Sequence, residues 1–202
     1  MSGHLEISGL SVSFNGFKAV DGLNLSIAQG ELRCLIGPNG AGKTTALDLI
    51  CGKTKPSSGS IRYNGQELSR LEEHIIARAG VGRKFQVPSV FRQLTVRENL
   101  EVAYCKHTGV FTNLLRAAGR SERDGLEKLS YFVGLRDALD QPAAYLSHGQ
   151  TQWLEIALLL AQDSELILLD EPTAGMTSQE TQKTAEICNR LEGEATIMLV
   201  AP

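Results

Sequence analysis

Apolar and polar residues alternate along the first third of the chain, a pattern typical of half-buried β-strands. Residues 5–14 show the alternation, and Asn15-Gly16 follows them as a turn. Residues 31–36 contain a short apolar stretch that indicates a buried strand. The elements predicted in this part are strands at residues 5–14, 23–27, 31–36, 60–63 and 81–85, and helices at residues 43–52 and 71–79.

The middle of the chain, from residue 95 to residue 145, has a helical pattern and no convincing strand. Thr95-Val-Arg-Glu98 has the spacing of a capping box, in which the side chains of the first and fourth residues satisfy N–H groups at a helix start. Residues 121–133 form a second amphipathic segment. We therefore predict a helical subdomain that is inserted into a sheet-forming core.

The last part of the chain returns to core-forming patterns. Trp153, Ile156, Ala157 and Leu160 recur at helical spacing, so we expect a buried helix with Trp153 as a core anchor and not as a ligand-stacking group. A further helix at 178–191 and a final strand at 196–200 follow. The predicted organisation is one domain over residues 1–202, with a core at 1–86 and 149–202 and a helical subdomain at 87–148.

Composition limits the class of protein. With 202 residues and 42% apolar residues, the chain can form one sizeable α/β core. Its net charge of −3 gives no general attraction to nucleic acid. No signal peptide is visible, and the longest apolar stretch, at residues 156–161, is too short to cross a bilayer.

The four cysteines, Cys34, Cys51, Cys105 and Cys188, are widely spaced and form no metal-type pair. Cys34 lies in a predicted core strand and Cys51 at the end of a predicted helix, so we expect both to be packed thiols. A reduced, cytosolic compartment fits this usage of cysteine.

Residues 37–44 read Gly-Pro-Asn-Gly-Ala-Gly-Lys-Thr, the pattern of a phosphate-binding loop between a strand and a helix. Its glycines let backbone N–H groups approach the phosphates, and the helix N-terminus adds partial positive charge. Lys43 is expected to reach the β- and γ-phosphates, and the Thr44 hydroxyl to bind Mg²⁺. A glycine-rich turn would match these fixed positions by chance at a rate of roughly one per cent. The predicted nucleotide-binding residues here are Gly37, Pro38, Asn39, Gly40, Ala41, Gly42, Lys43, Thr44 and Thr45.

A second motif lies more than a hundred residues later. Residues 166–169 are continuously apolar, as in a parallel strand buried on both faces, and Asp170 and Glu171 follow. Neighbouring side chains at a strand end point in different directions. We therefore assign Asp170 to Mg²⁺ and Glu171 to the attacking water as general base. The alternative, two solvated acids at a strand end, is weakened by the phosphate loop upstream.

Two further features narrow the class of nucleotide-binding protein that the sequence resembles. Gln86 follows a predicted strand. Residues 146–150, Leu-Ser-His-Gly-Gln, precede the strand that ends at Asp170 and Glu171, and we call them the signature segment. In this order the motifs resemble the ATP-binding-cassette (ABC) family over almost the whole chain. Within it, Gly82–Gln86, residues 146–155 and Ala174-Gly-Met-Thr177 are similar to the ATPases of branched-chain amino acid and urea importers, in particular the urea-transport ATP-binding subunit.

The resemblance implies roles for more residues. Phe14 matches the aromatic position that stacks on adenine, with a strand-core residue as the alternative. Gln86 matches the glutamine that senses the γ-phosphate and Mg²⁺ and lies near the membrane subunit. Ser147, Gly149 and Gln150 match signature residues that meet the γ-phosphate of ATP held by an opposing subunit.

The resemblance also implies a fold and an activity. The expected fold class is α/β, a P-loop NTPase core with a mixed, mainly parallel sheet, an antiparallel β subdomain and an inserted helical subdomain. The expected activity is hydrolysis of Mg·ATP, clamped between two cassettes, to drive import of a small polar solute such as urea or a branched-chain amino acid. The expected partners are a second ABC ATPase subunit, transmembrane permease subunits and, indirectly, a solute-binding protein. This places the chain in the cytoplasm, peripheral to the inner face of the cell membrane.

Three departures from the family pattern leave alternatives open. His148 replaces a glycine of the signature, either as a structural variant or as a charge beside the partner's γ-phosphate. The loop 174–177 lacks an acidic residue that is common in the wider family. The family's histidine after the last core strand has no counterpart, so the chain is expected to be a truncated piece and not a natural variant. That absence motivates an alternative function, a cassette that pairs on ATP with little or no turnover. A third possibility, a soluble cassette acting on DNA or ribosomes, has neither coiled-coil arms nor a second cassette to support it.

Overall fold

The computed structural model describes residues 4–84, 90–104 and 120–201. The strands in these ranges are β1 (Leu5–Phe14), β2 (Phe17–Ile27), β3 (Leu32–Ile36), β4 (Ser58–Tyr63), β5 (Gln66–Glu67), β6 (Val81–Lys84), β7 (Leu166–Asp170) and β8 (Thr196–Ala201). The α-helices are α1 (Lys43–Ile50), α2 (Glu73–Arg78), α3 (Val96–Tyr104), α4 (Arg120–Phe132), α5 (His148–Ala161) and α6 (Ser178–Leu191).

The strands form two sheets. One is antiparallel, with the order β2-β1-β4-β5, and its β1–β2 hairpin turns at Asn15-Gly16. The other has the order β3-β8-β7-β6, and β8 pairs in parallel with both β3 and β7. Because the carboxyl ends of parallel strands share one edge, the loops after β3 and β7 emerge on the same side of this sheet.

The described residues divide into two compact units. The first comprises residues 4–83, 164–172 and 188–201, and the second comprises residue 84 and residues 90–104, 120–163 and 173–187. Both sheets lie in the first unit except for the last residue of β6. This division differs from the predicted one, because residues 149–163 and 173–187 group with the helical unit and not with the sheet.

The core of the first unit is built from the buried faces of both sheets and of α1. Leu5, Ile27, Leu47 and Ile61 are fully buried there, together with alternate residues of β7. All five residues of β7 are buried, as the continuous apolar pattern predicts for a central strand. In the second unit Trp153 is buried and its indole N–H donates to the Thr184 hydroxyl at 2.9 Å, so its prediction as a core anchor is confirmed.

The prediction that Cys34 is packed is wrong. The Cys34 side chain is exposed, whereas Cys51 is buried as expected. The reason is the position of β3 at the edge of its sheet, where Arg33, Cys34 and Ile36 are all exposed. Cys105 lies outside the described residues.

No helix in the described ranges is both long enough and apolar enough to cross a membrane.

Candidate functional site

The predicted phosphate loop connects β3 to α1 in the first unit. Gly40 and Gly42 adopt left-handed backbone conformations, with φ of 81° and 84°. A Cβ atom on Gly42 would lie 2.2 Å from the carbonyl oxygen of Ala19 in β2, whereas a Cβ on Gly40 would meet nothing within 4 Å. The loop is therefore shaped by glycine conformation at both positions, and at Gly42 also by close contact with β2.

The N-terminus of α1 has no side-chain cap. Gly42 occupies the cap position, and no acidic residue lies in the first turn. The first N–H groups of a helix have no partner within the helix, and they carry the positive end of its dipole. This terminus is therefore a suitable place for phosphate oxygens.

Lys43 lies over the same loop. It is 8% exposed, and its ammonium group donates to the carbonyl oxygens of Gly37 and Pro38, the second at 3.1 Å. These contacts hold the ammonium group against the backbone of the loop. Triphosphate oxygens would compete with these carbonyls for the charged group.

The carboxylate of Asp170 faces the start of α1. The Thr44 hydroxyl donates to Asp170 Oδ1 at 3.3 Å, so two of the three predicted Mg²⁺ residues are in contact. Asp170 is 5% exposed, and its Oδ2 atom is buried without a hydrogen bond. A hydroxyl beside a buried carboxylate oxygen of this kind suits a hard cation that prefers oxygen ligands, so the residues fit Mg²⁺.

Arg83, in β6, is the cationic neighbour of Asp170. Its Nη2 atom lies 3.6 Å from Asp170 Oδ2, and its Nη1 atom is paired with Asp48 of α1 and lies 3.3 Å from Cys51 Sγ. The side chain of Arg83 is 5% exposed. Sequence reasoning missed this residue, because a single arginine in a predicted strand gives no local signal of a buried ion pair.

Glu171, the predicted general base, has a strained backbone. Its φ is 45°, a left-handed conformation that is uncommon for a residue with a side chain, and its N–H donates to the Val200 carbonyl at 3.1 Å. Strain of this kind is typical of functional positions whose side chain must point in one direction. Here the side chain reaches the cleft beside the phosphate loop.

This cleft has a volume of about 340 Å³, within the range of roughly 300–1,000 Å³ for small-molecule sites. It brings together most of the predicted nucleotide residues. Its lining consists of Phe17, Ala19, Asn39, Gly40, Ala41, Gly42, Lys43, Thr44, Thr45 and Glu171.

The aromatic residue in this lining is Phe17, which sequence reasoning missed. Phe14 and Phe17 are paired across the β1–β2 turn, and both are exposed, Phe14 by 47% and Phe17 by 67%. Phe14 is therefore not a core residue of the strand. Its stacking on adenine stays a prediction, with Phe17 as a second candidate. Gln86 lies outside the described residues, so its two predicted roles stay predictions as well.

The signature segment, residues 146–150, lies in the second unit. Ser147 is the N-cap of α5, and with Gln150 it forms a complete capping box: Ser147 Oγ accepts from Gln150 N at 3.1 Å, and Gln150 Oε1 accepts from Ser147 N at 2.9 Å. Gln150 thus has a structural contact that sequence reasoning missed, although the Ser-x-x-Gln spacing is the sequence signature of a capping box.

The signature segment is tied to α6 and to the residues before it by two side chains, His148 and Glu180. The Nε2 atom of His148 lies 3.0 Å from the Ala174 carbonyl oxygen. The carboxylate of Glu180 accepts from Ser147 Oγ at 2.9 Å and from Gly149 N at 3.2 Å. Glu180 was not predicted as a site residue, since contacts across 31 and 33 residues of sequence leave no local pattern.

The comparisons with known proteins agree with this geometry. The family model described as ABC transporter matches residues 20–174. The branched-chain amino acid transport ATP-binding protein BraF of Pseudomonas aeruginosa is 38% identical, over 97% of this chain and 80% of its own length. The corresponding protein LivG of Escherichia coli K12 is 37% identical with the same two coverages.

A solved structure shares the fold. It is the ADP conformation of MJ1267, an ATP-binding cassette of an ABC transporter, with a TM-score of 0.82 and 27% identity over 99% of this chain and 81% of that one. The chain therefore belongs to the ABC transporter family as an ATP-binding-cassette domain, and the predicted P-loop NTPase fold class is confirmed.

Proposed function

We propose that the chain binds Mg·ATP at the phosphate loop and hydrolyses it as the ATPase subunit of an importer. One observation carries this proposal: a single cleft in the first unit is lined by the loop, Lys43, Thr44 and Glu171, and Thr44 is hydrogen-bonded to Asp170. The crystal structure of the relative MJ1267 in an ADP conformation supports a nucleotide as the occupant of such a cleft.

The residues in and beside the cleft have separate chemical roles. The N–H groups of the loop and Lys43 hold the phosphates and offset their charge. Thr44 and Asp170 supply oxygen atoms for Mg²⁺, which when bound neutralises charge on the terminal phosphates. Glu171 faces the attacking water and accepts its proton. Gln86, from its predicted position, adds a contact to the γ-phosphate.

The signature segment serves an opposing cassette. A serine hydroxyl and a glycine N–H at the start of α5 form a second group of donors for a phosphate. We infer a head-to-tail pair in which each chain offers Ser147 and Gly149 to the ATP of the other. Hydrolysis weakens the pair, and permease subunits in the membrane follow its opening and closing. The chain would then lie at the cytoplasmic face of the cell membrane.

The solute is a small polar molecule. The importers of BraF and LivG carry branched-chain amino acids by name, and the segments 82–86, 146–155 and 174–177 resemble those of the urea-transport subunit. We assign this chain to the branched-chain amino acid type, with urea as the narrower alternative. Uptake of labelled leucine and of labelled urea in cells lacking the gene, with and without a plasmid-borne copy, separates the two.

Two variants test the ATPase assignment. We expect Lys43→Ala to lose Mg·ATP binding in calorimetry, and Glu171→Gln to bind Mg·ATP but to release no phosphate. Lys53→Ala, an exposed lysine just after α1, and Glu192→Gln, an exposed acid after α6, are the matched controls. Turnover by Glu171→Gln at the parental rate would contradict the role of Glu171. If the parent binds ATP and pairs, yet releases no phosphate, the alternative of a pairing cassette without turnover takes its place.

A further inference from the structure

The two donors of the signature segment already have an acceptor. Ser147 Oγ and Gly149 N both donate to the same oxygen, Oε1 of Glu180, at 2.9 and 3.2 Å. A serine hydroxyl and a backbone amide each have one proton to donate. The Ser147 oxygen also accepts from Gln150 N, so its donor and one of its acceptor positions are both in use. Any phosphate at this site therefore needs the two protons that are now donated to Glu180.

The other oxygen of the carboxylate is held as well. Glu180 Oε2 accepts from Thr177 N and from Thr177 Oγ1, both at 3.0 Å. The hydrogen bonds from the Thr177 backbone and then from Ser147 lower the pKa of Glu180 below its usual value. The group is an anion at neutral pH, surrounded by four donors as a phosphate oxygen would be.

Gly149 is shaped by the same contact. A Cβ atom at this position would lie 2.5 Å from Glu180 Oε1 and 2.6 Å from Glu180 Cδ. Gly149 is buried beneath the Glu180 side chain, so its N–H is not open to solvent in this arrangement. A side chain at residue 149 would push the Glu180 side chain away, so the contact between Glu180 and the signature segment depends on this glycine.

We propose that Glu180 is an internal competitor for the phosphate site of the signature segment, and that its carboxylate must leave Ser147 and Gly149 before an opposing subunit's γ-phosphate can bind them. This inference rests on the proposed function and adds a regulatory step to it. Two anions cannot share these donors, because each proton serves one acceptor and the like charges repel. Glu180 sets a threshold for pairing and leaves ATP binding at the phosphate loop unaffected.

Release of Glu180 is feasible because the residue can keep half of its contacts. It lies in the first turn of α6, and its hydrogen bonds to Thr177 are those of a capping box, which glutamine also makes. In Glu180→Gln one amide oxygen can keep the cap, but the NH₂ group that then faces Ser147 and Gly149 cannot accept from them. The variant therefore frees the signature donors and retains the helix start.

The matched control is Glu186→Gln. It removes the same charge from the same helix, and Glu186 is exposed and accepts a hydrogen bond from the Gln182 side chain at 3.2 Å. Circular dichroism of both variants checks that α6 is intact.

The first experiment follows the Gly149 amide in ¹⁵N-labelled chain during titration with inorganic phosphate. We expect Glu180→Gln to show a saturable shift at a phosphate concentration at least tenfold lower than the parent, and Glu186→Gln to behave as the parent does. An equal response in parent and Glu180→Gln, or no response in either, overturns the proposal. This measurement needs neither ATP nor pairing.

The second experiment measures ATP-dependent pairing by light scattering, with Glu171→Gln as background. We expect Glu180→Gln to lower the ATP concentration for half-maximal pairing at least fivefold, with unchanged ATP affinity of the monomer. If ATP binds and the pairing threshold is unchanged or higher, the role of Glu180 is wrong and the proposed function stands. If no variant binds ATP, the proposed function fails, and the phosphate titration alone decides whether Glu180 competes at the signature site.

Discussion

Single residues in the phosphate loop differ in how much of their geometry is imposed by neighbours. Gly40 and Gly42 have nearly the same φ, yet only Gly42 packs against another strand, at the Ala19 carbonyl. The sequence motif alone does not distinguish these two glycines. The structure distinguishes a glycine chosen for conformation from one that also needs to lack a side chain.

This difference gives the first prediction. Gly40→Ala should cost roughly 1–2 kcal/mol of unfolding free energy, because only the left-handed conformation is penalised. Gly42→Ala should cost more, since its Cβ would lie 2.2 Å from a backbone oxygen and β2 or α1 has to move. Urea unfolding of the two variants measures the difference. Equal losses would show that the contact with β2 adjusts freely.

Phe17 gives the second prediction at this scale. It lines the cleft, whereas Phe14 pairs with it from the opposite strand. If the base of the nucleotide stacks on Phe17, Phe17→Ala should weaken ATP binding at least about fivefold, as expected for stacking worth about 1 kcal/mol or more. Phe14→Ala is the control, and a larger effect from it would return the role to Phe14. Calorimetry with ATP and with triphosphate alone separates the base from the phosphates.

At the scale of elements, the hydrophobic pattern predicted some boundaries to the residue and others poorly. Strand β1 (Leu5–Phe14) and helix α6 (Ser178–Leu191) have the predicted bounds. The prediction for β2 began at residue 23, whereas the strand begins at Phe17. Its pairing with β1 has irregularities between Leu10 and Ser13, and Gly22 has a positive φ, so no regular alternation marks its first half. Phe17 was missed for this reason.

Contacts between elements were not predictable from local pattern. The grouping of α5 with the helical unit and the contact of Glu180 with the signature segment depend on residues far apart in sequence. The motifs predicted most of the residues that line the cleft, because strand ends and helix starts bring them together in any sheet of this kind. They could not predict Arg83, whose role depends on which carboxylates its strand happens to face.

Arg83 supports the third prediction, at the level of three elements. It joins Asp48 of α1 and Asp170 of β7 from its place in β6. Arg83→Met removes a buried cation between two carboxylates, and such a loss typically costs about 3–5 kcal/mol. Asp48 keeps a second partner, Lys53 at 3.5 Å, so the loss should fall mainly on Asp170. Unfolding with and without Mg²⁺ tests this, and we expect the ion to recover part of the lost stability.

An exposed arginine is the control for that substitution. Arg62→Met, in β4, changes the same charge at a side chain that is 60% exposed and should cost less than about 1 kcal/mol. If Arg83→Met were as mild as Arg62→Met, the buried pairs would contribute little.

At the scale of the whole molecule, the pH dependence of stability is distributed unevenly. Carboxylates with lowered pKa values occur in both units: hydrogen bonds lower the pKa of Glu31, through the Ala28 N–H first, and of Glu98, through the Thr95 N–H first. A lowered pKa in the folded state adds stability above the unfolded value of 4.5, and this stability is lost as pH falls. Acid should therefore weaken both units.

A cysteine and a tyrosine with raised pKa values both lie in the first unit. Burial raises the pKa of the Cys188 thiol from 9.0 to about 11, and burial, with the neighbouring Glu165, raises the pKa of Tyr63. A raised pKa means that the folded state favours the neutral group, so its stability is complete below the unfolded pKa and is lost as pH rises through the folded one. We predict that the free energy of unfolding of the first unit falls between pH 9 and pH 11.

Cys188→Ala tests the origin of this fall. The variant removes an ionisable group that can contribute a slope of up to about 1.4 kcal/mol per pH unit, so its stability should decline less steeply than that of the parent above pH 9. Cys34→Ala, at an exposed thiol, is the control and should keep the parental slope. Urea unfolding midpoints at half-unit steps from pH 8 to pH 10.5 measure both. Parallel curves for parent and Cys188→Ala would assign the loss of stability at alkaline pH to Tyr63. The Tyr63 hydroxyl donates to Glu165 at 3.4 Å, so its ionisation would place two negative charges together in the core.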